Sequence, residues 1–297
     1  MYMEKVAIIG SGNFGSALGH IFAVRPDVLV SLWDSDPAKT SSRVTLAETV
    51  TQAPVVFICV PSWSLRAATV SIAPYITGDT ILVSPTKGID QDSIQTTDEV
   101  LIDVLGGKGD VALLHGPMLA AEMIEGLPSF GTIASHSSEV FSKLQSLFVG
   151  TTLTLEYSVD LHGVALAGVL KNIYSIGLGM TEAMRLGSNF RGWYVRAAVR
   201  EMASIIQALG GSADTAYTSA GIGDLVATGL SPTSRNCMVG HELVQSGECS
   251  TVSEGGESLP QMMALLARAG STAPIASSIA DIVAGRADAS TLLKSVV

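Results

Sequence analysis

The sequence predicts an α/β fold, a doubly wound and mostly parallel sheet followed by an all-helical C-terminal domain, on three observations. Short apolar runs separated by helix-length stretches fill the first half of the chain, the pattern of strands joined by crossover helices. A glycine-rich turn follows the first of those runs directly. Beyond Tyr157 the texture changes, and long apolar stretches rich in small residues take over. A chain of 297 residues exceeds one ordinary core and suits two domains, expected at 1–157 and 158–297.

The strands are expected at Val6 to Gly10, Val28 to Trp33, Val55 to Pro61, Thr80 to Ser84, Val111 to Leu114 and Thr152 to Glu156. Each is a short apolar run bounded by glycine, proline or polar residues, as strands buried on both faces are. Pro61 ends the third because it cannot continue a ladder. A helix is expected from the glycine turn through about Val24. In the second half, helices are expected at Val164 to Met180 and Trp193 to Leu209, with shorter ones after Asp224, Met262 and Ile275. The most apolar region, Gly163 to Met180, is broken by Lys171 and Asn172. It therefore reads as a helix buried in a globular domain, with no membrane insertion.

Hydrophobic residues make up 47% of the chain and charged residues 15%, which argues for large buried surfaces and suits a homodimer built on the helical half. The balance of 17 Lys and Arg against 27 Asp and Glu gives a net charge of −10, which argues against nucleic acid and anionic membranes as partners. Cys59, Cys237 and Cys249 are odd in number and lack CxxC spacing. Reduced thiols in a cytoplasmic protein are expected, not a disulfide framework or zinc site. The five histidines show no metal-ligand spacing, so no metal is expected, and His115 reads as a core or loop residue. The N-terminus opens into a strand pattern without a signal-peptide pattern. No G-x-S-x-G elbow supports a hydrolase.

Gly10-Ser11-Gly12-Asn13-Phe14-Gly15 fits the G-x-G-x-x-G pattern, placed between a strand and a helix near the start of the chain. The first glycine permits a tight turn, the second admits a pyrophosphate to the backbone, and the third lets helix and strand pack closely. Free N–H groups at the helix start favour phosphate. A Rossmann-type dinucleotide site follows. Asp34 ends the second strand, where an acid can bind a ribose diol. Ser35, and no arginine, follows it, so NAD is expected ahead of NADP. Alternatively Asp34 caps the Asp34-Ser35-Asp36-Pro37 turn.

Four polar clusters stand out. Lys87, in Ser84-Pro85-Thr86-Lys87-Gly88, lies past a strand's carboxyl end, where it can reach substrate oxygens or simply meet solvent. Lys171 interrupts an apolar helix: burial would lower its pKa toward acid–base range, unless the side chain snorkels to the surface. Asp224, in Gly221-Ile222-Gly223-Asp224-Leu225, is either an N-cap or a partner for Lys171. Ser234-Arg235-Asn236 is either a phosphate cradle or a helix cap.

Together these segments resemble the NAD(P)-dependent glycerol-3-phosphate dehydrogenase family. The resemblance rests on Ile9-Gly10-Ser11-Gly12-Asn13-Phe14-Gly15-Ser16-Ala17-Leu18, Val60-Pro61-Ser62, Thr86-Lys87-Gly88-Ile89, Gly116-Pro117, Leu170-Lys171-Asn172-Ile173, Thr251-Val252-Ser253-Glu254-Gly255, and the run from Gly223-Asp224-Leu225-Val226-Ala227-Thr228 to Ser234-Arg235-Asn236. It implies hydride transfer between a nicotinamide and C2 of dihydroxyacetone phosphate or glycerol 3-phosphate, a small phosphorylated substrate. It implies Lys171 as general acid and base, with Asp224 and Thr228 around it and Lys87 facing the substrate. It implies Ser234, Arg235 and Asn236 at the substrate phosphate, and Pro61, Lys87, Ala120, Arg235 and Glu254 near the cofactor. Three departures are expected to bear on substrate fit: Met118 after Gly116-Pro117, a short segment between Asp34 and Val55, and Gly192-Trp193-Tyr194. They keep open a related dehydrogenase of another small hydroxy compound. A non-catalytic dinucleotide-binding regulator is the remaining alternative, and Lys171, Asp224, Arg235 and Asn236 together speak against it.

Overall fold

The computed structural model describes residues 3–39 and 44–296. Contacts divide the chain into two units. One runs up to Thr86 and resumes at Thr97–Leu161; the other comprises Lys87–Thr96 and the chain from His162 onward. The sequence boundary near Tyr157 carries no hint that the ten-residue excursion at Lys87–Thr96 belongs with the helices.

The first unit is built on a seven-stranded sheet: β1 (Glu4–Ile9), β2 (Val28–Trp33), β3 (Val55–Ile58), β4 (Ile81–Ser84), β5 (Asp110–His115), β6 (Ser129–Ala134) and β7 (Leu153–Ser158), in the order β2-β1-β3-β4-β5-β6-β7. All neighbouring pairs are parallel except β5 and β6. The chain crosses over through α1 (Asn13–Phe22), α2 (Leu46–Thr51), α3 (Ser62–Ile72), α4 (Thr97–Leu105), α5 (Ala120–Ile124) and α6 (Ser138–Phe148). β3 and β4 are buried along their whole length, as expected for Val/Ile/Leu-rich strands with helices on both faces. Phe22, Phe57 and Phe148 pack together in the core, with ring centroids 4.9 to 6.2 Å apart.

β6 is the strand that sequence reading misses. Its sequence, Ser-Phe-Gly-Thr-Ile-Ala, has a polar residue and a glycine where an apolar run would be sought. Gly131 is there for space: a Cβ would come within 2.8 Å of Leu114 and 3.1 Å of the Met118 sulfur. Met118 is thus a buried core residue of this unit, packed with Leu114, Ile133 and Leu155.

The second unit is all-helical apart from the excursion: α7 (Leu161–Ala183), α8 (Gly187–Ala208), α9 (Asp224–Leu230), α10 (Arg235–Ser246), α11 (Glu254–Ala269), α12 (Pro274–Val283) and α13 (Thr291–Val296). Among the described residues α7 alone is long and apolar enough to cross a membrane, and it is the buried central helix of this unit. Glycines let its neighbours come close. A Cβ on Gly179 would collide with the Cys237 backbone of α10, and one on Gly240 with the Ile176 carbonyl of α7. The excursion inserts Ile89 into this core, with its N–H donating to Ser258 Oγ at 3.3 Å.

Candidate active site

Within the sheet unit, strand order reverses at β2-β1-β3, the place where open α/β sheets bind ligands beyond their carboxyl ends. The glycine turn leaves β1 there. Gly10 adopts φ +99°, and a Cβ would lie 2.6 Å from the Cys59 carbonyl oxygen. Gly15 is buried and packs against the Gly10 carbonyl, so α1 closes onto the strand. Gly12, by contrast, has open space where its Cβ would be. Asn13 and Phe14 open α1, whose first turn carries no side-chain cap, leaving its N–H groups for a ligand. A cavity of about 540 Å³ lies beside this turn, lined by Gly10, Gly12, Asp34, Ser35, Lys39 and Pro61 among others.

Asp34 serves the turn directly. Its Oδ2 accepts from the Ser11 amide at 2.7 Å and hydroxyl at 2.9 Å, and its Oδ1 accepts from the Asp36 amide at 2.9 Å. Burial alone would raise its pKa; the hydrogen bonds from Asp36 and Ser11 outweigh burial and hold it below the usual carboxylate value. Asp34 therefore does cap its own turn, and it does so while lining the cavity. These features fit a dinucleotide: an exposed backbone cradle, a helix start free of caps, and an anionic carboxylate at the end of β2. Pro61 stands just before α3, and Ala120 begins α5 and packs on the sheet core.

The second cluster lies within the helical unit. Lys87 Nζ is 2.8 Å from Asp224 Oδ2, and Lys171 Nζ is 3.3 Å from Asp224 Oδ1. Lys171 Nζ donates to Thr228 Oγ1 at 2.9 Å, and Thr228 Oγ1 donates to Asp224 Oδ1 at 3.2 Å. One carboxylate thus holds two ammoniums. The Lys171 side chain is only 8% exposed, which excludes snorkelling. Burial drives its pKa down, the Asp224 charge opposes this and the Lys87 charge adds to it, leaving about 8 against an ordinary 10.5. Burial alone would raise Asp224, but the Lys171 and Lys87 charges outweigh it and hold the carboxyl below its usual range.

Asp224 begins α9 yet makes no cap there; a π-helical turn, Ser219–Gly223, feeds the helix and turns the carboxylate to the lysines. Local sequence favours the capping role, and the excursion that brings Lys87 to this carboxylate is what overrides it. Gly221 permits that turn, since a Cβ would collide with the Ala216 backbone.

The Ser234-Arg235-Asn236 segment divides its tasks. Ser234 is the N-cap of α10, accepting from the Cys237 amide at 3.3 Å. Arg235 is exposed and makes no side-chain hydrogen bond or ion pair among the described residues. Asn236 is buried and committed: its Nδ2 donates to Asn172 Oδ1 at 2.9 Å, and its Oδ1 accepts from the Gly255 amide at 3.0 Å. Asn172 in turn donates to the Lys87 carbonyl at 3.3 Å. Sequence reasoning quoted Asn172 in a motif without giving it a task; the amide relay from Lys87 through Asn172 and Asn236 to Gly255 is that task. Glu254 opens α11 beside Gly255. Cys237, its thiol pushed up by burial, donates to the Ser175 and Thr228 carbonyls at 3.4 and 3.6 Å behind Lys171.

The departures expected to bear on substrate fit are placed as follows. Met118 is in the sheet unit's core. Tyr194 is fully buried, with its hydroxyl donating to the Tyr174 carbonyl at 2.9 Å, and Trp193 bonds the Val296 carbonyl at 3.0 Å under the Arg196 guanidinium. The short segment after Asp34 lies partly outside the described residues. His115 is buried and bonded to the Thr86 carbonyl at 3.0 Å.

Comparison with known proteins identifies the family. Two family descriptions match: NAD-dependent glycerol-3-phosphate dehydrogenase N-terminus over residues 37–141, and the C-terminus of the same family over residues 160–294. The glycerol-3-phosphate dehydrogenase [NAD(P)+] of Agrobacterium fabrum is 31% identical, covering 100% of this chain and 98% of its own length. That of Azotobacter vinelandii is 32% identical over 82% of this chain and 77% of its own. The crystal structure of glycerol-3-phosphate dehydrogenase from Coxiella burnetii superposes with a TM-score of 0.89 at 25% identity, over 100% of this chain and 98% of that one. A ketopantoate reductase from Ralstonia eutropha shares the fold more distantly, with a TM-score of 0.61 at 16% identity.

Proposed function

Since the chain belongs to the NAD-dependent glycerol-3-phosphate dehydrogenase family, we propose that it interconverts dihydroxyacetone phosphate and sn-glycerol 3-phosphate with Lys171 as general acid and base. The observation that carries this reading is the buried ammonium of Lys171, shared with Thr228 and Asp224 and brought to a pKa of about 8.

When bound, the nicotinamide supplies or accepts the hydride at C2. Gly10, Ser11, Gly12, Asn13, Phe14 and Gly15 would hold the pyrophosphate, and Asp34 the ribose, with Pro61, Ala120, Lys87, Arg235 and Glu254 assigned to the rest of the cofactor. Reduction builds negative charge on the C2 oxygen. The Lys171 ammonium stabilises that charge and gives up its proton; in the reverse direction the neutral amine takes it back. Asp224 keeps the ammonium form available at neutral pH against the cost of burial. Thr228 fixes the rotamer of the Lys171 head, since its hydroxyl accepts from Nζ and donates to Asp224. Lys87 adds a second positive charge for substrate oxygens.

Arg235 is the candidate phosphate ligand because its guanidinium is exposed and uncommitted. Ser234 and Asn236 support it by starting and bracing α10, Ser234 Oγ accepting from the Cys237 amide and Asn236 Nδ2 donating to Asn172. Asp34 supports a preference for NAD over NADP, since an acid at the end of β2 suits a ribose diol and Ser35, not an arginine, follows it in the sequence. The proposal includes a homodimer, supported by the apolar composition, and a reducing, cytoplasmic setting, supported by three unpaired thiols.

The test is NADH oxidation by purified protein with dihydroxyacetone phosphate. Turnover is expected, and Lys171→Ala is expected to lower kcat by about 10²-fold or more. Undiminished turnover in that variant would sink the assignment of Lys171.

A further inference from the structure

The helical unit holds a second cavity, of about 360 Å³, to which the proposed reaction gives no task. Leu178 of α7, Val195 of α8, and Val226 and Leu230 of α9 wall it. Part of its hollow comes from Gly192, where a Cβ would enter open space. The volume is that of a small-molecule site.

One end of the cavity is cationic. Arg191 lines it and also lines the adjoining hollow formed with Thr181, Glu182, Arg185 and Gly187. Among the described residues the Arg191 guanidinium reaches only Ser188 Oγ, at 3.5 Å. Arg185 has no side-chain partner among the described residues. Glu182, the carboxylate lining that hollow, is engaged by His241 Nε2 at 3.2 Å. In a chain with 27 acidic and 17 basic residues, two neighbouring guanidiniums without an acid partner among the described residues go against the general balance. An apolar hollow that opens onto free guanidiniums matches a ligand with a hydrocarbon tail and an anionic head.

We propose that this cavity binds an amphipathic anion, a single-chain aliphatic carboxylate or phosphate monoester, with its tail among Leu178, Val195, Val226 and Leu230 and its head on Arg191 and Arg185. Occupancy would bear on activity through α9, which carries Val226 and Leu230 on the cavity wall and Asp224 and Thr228 at Lys171; that consequence alone rests on the proposed function. Arg235 does not line the site, which needs no dinucleotide.

Calorimetric titration of the full chain with octyl phosphate and with octanoate, below micelle-forming concentrations, tests the proposal without reading turnover. Inorganic phosphate (no tail) and octanol (no charge) are the controls. One saturable site for an amphiphile is expected, and the tighter of the two heads identifies the headgroup class. Gly192→Leu fills the hollow without strain and suits the helix, so it should weaken binding ~10-fold or more while leaving amphiphile-free turnover unchanged. Arg191→Gln should weaken binding to a similar extent. The proposal is overturned if neither amphiphile saturates, if Gly192→Leu binds as well as wild type, or if Arg235→Ala is the variant that loses binding. It is equally overturned if wild type binds no amphiphile and Gly192→Leu sediments as a smaller species, which would mean that a second copy of the chain covers the cavity.

Discussion

Asp224 touches both lysines, so no single residue of the cluster acts alone. The carboxylate holds Lys87 at 2.8 Å and Lys171 at 3.3 Å, and burial makes each charge count for more than it would in water. Arg235 is different, exposed and unengaged, and its effect belongs in substrate binding. Arg235→Ala should raise KM for dihydroxyacetone phosphate by about ten- to a hundredfold, the worth of roughly 1.5–3 kcal/mol for a charged hydrogen bond, and leave the pH profile in place. Steady-state kinetics at fixed NADH check this; an unchanged KM removes Arg235 from the phosphate. Asp34 gives a second residue-scale prediction. Because its Oδ2 already anchors the glycine turn through Ser11, Asp34→Ala should raise KM for NADH and at the same time narrow the gap between NADH and NADPH. Equal loss with both cofactors would mean that Asp34 only supports the turn.

At the scale of elements, α7 and α10 matter most, because their close crossing sets Asn236 against Asn172. Glycine makes that crossing possible at Gly179 and Gly240. Gly240→Ala should therefore destabilise the protein by about 1–3 kcal/mol, the usual range for overpacking, and lower activity beyond what its melting temperature explains. Thermal unfolding and turnover measured on the same sample test this; a variant with wild-type melting behaviour would contradict the packing argument. How much could be read from the sequence varies with the same elements. β1, β3, β4 and α7 are legible because unbroken apolar runs give them away. β6 is not, because Ser129 and Gly131 break up the apolar run that would announce a strand. Lys171, Asp224 and Thr228 are legible through their motifs. That Asp224 turns away from capping α9 is not, since the decision is made by Lys87, far off in sequence. The burial of Met118 is not legible either: its motif position says nothing of the packing against Gly131 and Leu114 that the fold gives it.

At the scale of the molecule, what matters is where charge is kept. A chain with net charge −10 concentrates Lys87 and Lys171 on one buried carboxylate, with Arg235 exposed on the same helical unit, and that local excess suits an anionic substrate better than the overall balance would suggest. The low pKa of Lys171 exists only because α7 and its neighbours exclude water from it. Below pH 8 Lys171 is mostly ammonium and serves reduction; above pH 8 it is mostly amine and serves oxidation. The most direct measurement is kcat/KM for dihydroxyacetone phosphate reduction against pH, in wild type and in Asp224→Asn. Wild type should lose activity as pH rises through about 8, and removing the carboxylate that supports the ammonium should move that fall to lower pH. A wild-type profile flat from pH 7 to about 9, or a fall that stays in place when the carboxylate is gone, would contradict the assignment of the proton to Lys171.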